Sequence, residues 1–169
     1  MILVPAALFL FGRHARPSQA ILDALAGVCQ GQGQPRAAGY SPGMGEHKLV
    51  LLDAHGKPTA WTGAMPRSWR PAQIEEAELV LCVGEERAEL IQTCQYRGGP
   101  DILRYQNMRE LRLLDARTGA LVSQTVVGGK PPRRCQELET VKMTSLGGLP
   151  VSVEDVLEWL QADIQPASQ

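Results

Sequence analysis

Aromatic side chains are scarce in this chain: Phe, Trp and Tyr make up 5% of its 169 residues. The core must therefore rest on Leu, Val, Ala and Ile, and a chain of this length suits one domain. Charge of one sign is lacking too. The 17 basic and 18 acidic side chains leave a formal charge of −1. That balance supplies no concentrated positive field of the kind that draws nucleic acid, so nucleic acid is not an expected partner. No apolar run reaches the ~20 residues of a spanning helix.

Histidine is rare as well, with His14, His47 and His55 the only three. None lies beside a GxSxG nucleophile elbow, because the chain has none. The four cysteines, Cys29, Cys82, Cys94 and Cys135, contain no CxxC spacing and match no zinc ribbon or knuckle. Residues 128–135 (GGKPPRRC) place glycines before a lysine, but the earlier glycine and the following Ser/Thr of a phosphate loop are missing. These absences leave no catalytic motif. No metal or cofactor is expected.

What is present reads as a sheet protein. Residues 79–83 (LVLCV), 90–96, 102–114 and 120–127 are apolar or alternating runs joined by short polar turns. The first is apolar on both faces, which predicts a central, doubly buried strand. Residues 84–87 read as a hairpin tip, with Glu85 and Glu86 as solubilising charge; that hairpin would make Cys82 and Cys94 neighbours. Asn107 and Arg109 interrupt the apolar face of the long run and predict a bulge there. Residues 48–52 form a further strand, the DAHG turn follows, and residues 57–61 are expected to return as its partner. Residues 115–119 (DARTG) are a hairpin loop with Gly119 at the left-handed position. A first helix is expected over 17–29, with Ile21, Leu22, Leu25, Val28 and Cys29 on one face. A last helix is expected over 153–165, capped by Ser152 and Asp155. Val153, Val156, Leu157, Leu160 and Ile164 form its stripe, and Trp159 sits at the stripe's edge or is exposed. The fold class is α+β, one antiparallel sheet of about five or six strands packed by an N-terminal and a C-terminal helix.

Four cysteines allow two disulfides in three connectivities. In an oxidising compartment they pair; in a reducing one they serve as small buried hydrophobes. Residues 1–11 (MILVPAALFLF), followed by Arg13 and Arg16, read as an anchor, a truncated membrane or signal segment, or a buried first strand. The anchor reading assigns 1–16 to the membrane, 17–165 to the domain and 166–169 to a tail. The positive-inside rule would put those arginines on the cytoplasmic face, which conflicts with export.

The least bland feature is the aromatic set Tyr40, Trp61, Trp69 and Trp159, three of them in irregular segments. Trp and Tyr are favoured at recognition surfaces, so these four are the candidate binding residues. Pinning of loops onto the sheet is the plainer explanation. No catalytic residue is assigned.

The segments GVCQGQG, AAGYSP, LVLCVGEE, IQTCQYRGGPDILRYQ, LRLLDARTGALV, PPRRC and VEDVLEWL, read together, resemble an uncharacterised bacterial domain. That domain occurs in membrane-tethered proteins and at the ends of some WD-repeat proteins. The resemblance covers about residues 21–160. It implies a Cys94–Cys135 pairing and a tether before the first helix, and it supplies no catalytic residue. The expected function is a non-enzymatic, extracytoplasmic, membrane-proximal module that binds a protein or a small ligand in the cell envelope. The alternatives are a small hydrolase or transferase with its site in the 40–69 loops, and a cytoplasmic protein with reduced thiols.

Overall fold

The computed structural model describes residues 17–43, 45–136 and 143–164. The segment expected as an anchor, 1–16, and the 166–169 tail lie outside the described residues. Among the described residues, no helix is long and apolar enough to cross a membrane.

Helix α1 (Gln19–Leu25) starts where the Ser18 side chain accepts from the Ile21 N–H. It is shorter than the 17–29 expectation. Ala26–Gln30 tightens into a 3-10 turn that ends on Gly31, whose φ is +82°. The apolar face is nonetheless continuous, with Ile21, Leu22, Leu25, Val28 and Cys29 all buried. Pro17 stands ahead of the cap rather than in the first turn.

Strand β1 (Leu49–Asp53) is followed by three short 3-10 turns and then by β2 (Leu79–Val83). Residues 57–61 do not form the expected return strand. Only an isolated bridge joins Leu52 to Pro58, and Thr59 then caps a 3-10 turn, Ala60–Gly63. That long connection crosses over, so β2 runs parallel to β1, Leu49 opposite Leu79. β2 is buried on both faces, as its apolar sequence requires.

The remaining strands are β3 (Arg87–Cys94), β4 (Ile102–Asp115), β5 (Leu121–Gly128) and β6 (Ser145–Gly147), followed by helix α2 (Val153–Ile164). β4 is the shared partner. It pairs antiparallel with β2, β3 and β5, and parallel with β6. Met108 faces Arg87 of β3 and Gly128 of β5, while Leu111 faces Val83 of β2 and Thr125 of β5. Hence β2 and β3 lie end to end along one edge of β4, with β5 and β6 along the other. The six-stranded sheet is therefore mixed, not antiparallel as expected. Residues 84–86 are an interruption between collinear strands, not a hairpin tip, and Cys82 and Cys94 are not neighbours. The bulge expected at Asn107 and Arg109 is absent. Register shifts occur instead between Leu90 and Gln92 in β3 and between Leu113 and Leu114 against β5.

Alternation along these strands makes two cores. Val50, Leu52, Val80, Cys82 and Leu114 meet α1 and its 3-10 extension on one face. Leu49, Leu51, Leu79, Leu81, Leu111 and Leu113 meet Met65, Trp69, Val156 and Leu160 on the other. Ser152 and Asp155 cap α2 reciprocally: the Ser152 N–H donates to Asp155 at 2.8 Å and the Asp155 N–H to the Ser152 hydroxyl at 3.3 Å. The N-terminal half of β4, with β3 and β6, extends beyond these layers as an arm holding a small cluster of Cys94, Ile102 and Leu146.

All four cysteines are paired, Cys29 with Cys82 and Cys94 with Cys135, each with Cα atoms 5.6 Å apart. The first bond ties the 3-10 turn after α1 to β2. The second fastens the extended 131–135 segment to the arm. Arg104, only 7% exposed, assists the second. Its Nε donates to the Arg133 carbonyl at 2.8 Å and its Nη2 to that of Pro132 at 2.7 Å, and Nη1 reaches the Gln92 side chain.

Candidate functional site

A cleft of about 310 Å³ opens where the parallel strands β1 and β2 end. The chain turns back after β1 but runs on along β4 after β2, and such diverging paths at the carboxyl ends of adjacent parallel strands leave a crevice, a usual place for ligands. After β1 comes the turn at Asp53. Asp53 Oδ1 accepts from the His55 and Lys57 N–H groups, both at 2.8 Å, and Gly56 takes φ +79°. This fixes Asp53 and presents His55 at the rim. After β2 come Gly84 and Glu85. Thr59, Ala60 and Trp61 from the crossover close the third side. The Thr59 and Thr62 side chains cap each other's turn, and the Thr62 hydroxyl donates to the Leu51 carbonyl at 3.0 Å, which sets Trp61 against the sheet.

Arg109 of β4 forms the floor. Its guanidinium lies 5.2 Å from the centroid of the Trp61 ring. Nη1 donates to the Gly84 carbonyl at 2.9 Å. Nε is sealed from solvent and stands 3.4 Å from Glu86 Oε2, an ion-pair contact whose angle does not make a hydrogen bond. Glu86 Oε2 in turn accepts from the Val151 N–H at 3.0 Å. The guanidinium is thus held from three directions. Rim groups are looser: His55 Nε2 and Glu85 Oε1 are 3.9 Å apart, with side chains 72% and 90% exposed.

The four aromatic candidates do not make one surface. Trp69 is buried at 4% exposure inside the core. Tyr40, Trp61 and Trp159 are half-buried and pack against that same core. Tyr40 meets the His47 ring edge-on at 4.8 Å. Trp159 lines a shallow depression beside Val127 and Glu158. Of the four, only Trp61 lines the cleft. His47 is 2% exposed, with Nδ1 2.5 Å from Glu78. The cleft lining contains neither Tyr40 nor His47, so the pocket joining Tyr40, Trp61, His47 and an acid that would favour a catalytic reading is not this cleft.

Sequence reasoning passed over Asp53, Glu85, Glu86 and Arg109 as site residues. Arg109 carries the readable signal, a cation interrupting an apolar strand face, but with Asn107 the same interruption predicts a bulge rather than a site. Among the described residues, no group of His, Cys, Asp and Glu side chains is arranged to hold a metal ion. No family model, curated protein or solved structure matches the chain.

Proposed function

We propose that this is a non-enzymatic, extracytoplasmic binding module, tethered near a membrane through residues 1–16, and that it binds its ligand in the cleft between β1 and β2. The observation that carries this is the cleft itself. It offers an aromatic wall, a guanidinium held from three directions and accessible carboxylates, and no nucleophile engaged by a base. Its one side-chain hydroxyl, on Thr59, accepts from the Trp61 N–H at 3.1 Å, and no hydrogen bond joins it to His55. In the close pair His47 and Glu78 the imidazole is buried against Tyr40, and neither residue lines the cleft. The two disulfides fit an oxidising setting, and the envelope is such a setting. The resemblance to membrane-tethered bacterial domains points the same way.

Two measurements test this reading. Protein isolated from its native host, denatured and alkylated without reductant, is expected to show no free thiol by intact mass. Four alkylated cysteines would sink the extracytoplasmic assignment. Hydrolysis of ester, phosphoester or glycoside reporter substrates, abolished by His55→Ala, would establish the catalytic alternative instead.

A further inference from the structure

We infer that the cleft takes a neutral polyhydroxylated ring, a single carbohydrate unit; this rests on the cleft being the binding site. Size is the first constraint. At about 310 Å³ the cleft is at the small end of ligand sites, suited to one ring rather than a chain. Charge is the second. Glu86 already balances Arg109, so Asp53 and Glu85 leave the remaining lining acidic and disfavour an anion. A cation is disfavoured for a different reason. The Trp61 ring that would attract it already carries the Arg109 guanidinium at 5.2 Å, and the two cations would repel.

A neutral polyol meets neither penalty. Its hydroxyls need acceptors and donors together, and the cleft supplies both. Asp53 Oδ2 and the Glu85 carboxylate accept. Arg109 Nη2 donates, Nη1 being taken by the Gly84 carbonyl and Nε being turned to Glu86 out of solvent, as does the His55 ring. The C–H face of a sugar ring needs an apolar wall, and Trp61 with Val83 provides it. Because the guanidinium is immobilised before the ligand arrives, little ordering cost falls on binding.

The test is saturation-transfer NMR on the oxidised full-length protein with glucose, galactose, mannose and N-acetylglucosamine, one at a time. Acetate and tetramethylammonium serve as the anionic and cationic controls. Transfer to the ring protons of at least one sugar is expected. Glu85→Gln, at a side chain exposed enough to leave the fold intact, is expected to weaken it about tenfold. Trp61→Ala is expected to abolish it, with folding checked by circular dichroism. Transfer to acetate or tetramethylammonium but to no sugar would overturn the carbohydrate assignment and leave the binding module standing. Silence from every probe, or sugar transfer unchanged in both variants, would overturn it as well. Sugar resonances other than those of the two anomers, growing with time only in the presence of the protein, would overturn the non-enzymatic reading alone.

Discussion

Asp115 closes the β4–β5 hairpin from a half-buried position. Burial pushes its carboxyl up, but the N–H groups of Tyr40, Thr118 and Arg117 and the Thr118 hydroxyl outweigh it and hold the pKa below the usual Asp range. A depressed folded-state pKa stabilises above the unfolded value, and the stabilisation is lost as pH falls through the folded one. Urea midpoints should therefore fall from about pH 5 downward. In Asp115→Asn the same acid decline should be smaller, on a lower plateau at neutral pH. Equal slopes for both proteins would contradict the assignment. Arg104 makes a second case. Replacing it with Met removes the hydrogen bonds to Pro132, Arg133 and Gln92, at a cost of about 2–3 kcal/mol. Urea unfolding would read this as a shifted midpoint with an unchanged slope. Neither role was legible beforehand. Asp115 looked like a turn residue, which it is, but its bond to Tyr40 spans 75 positions, and no local pattern encodes it.

Elements with one strong local signal were legible: β2 from its unbroken apolar run, the β4–β5 hairpin from DARTG, and α2 from its cap and stripe. Elements fixed by distant pairing were not. The direction of β1 against β2 depends on the crossover between them, whose 3-10 turns have no periodicity to read. The polar interruption at 84–86 looked like a reversal, whereas the chain continues forward because β4 accepts both segments on one edge. The cleft was hidden for the same reason, since its walls come together only once β1 is parallel to β2. Packing gives a check at this scale. Leu160 of α2 is fully buried, so Leu160→Ala should cost about 2–5 kcal/mol in thermal or urea unfolding. Val126 on β5 is 45% exposed, and Val126→Thr should stay within about 0.5 kcal/mol of the parent.

The molecule as a whole is a layered body with an arm, and each disulfide serves one of them. Losing Cys29–Cys82 should lower global stability by about 4 kcal/mol, because the bond closes a long loop through the core. Replacing Cys94 and Cys135 by Ala should act locally. Hydrogen exchange should then speed up in β3, β6 and the 131–136 segment, while β1 and β2 keep their protection. Uniform loss across the sheet would show that the arm is not a separate unit. The dependence of four strands on β4 also bears on how the chain is made. Until residues 102–115 have been synthesised, β2 and β3 have no antiparallel partner, and the apolar β1–β2 pair leaves an edge bare. A nascent chain stalled before that point would be the form most in need of a chaperone, and most prone to aggregate without one.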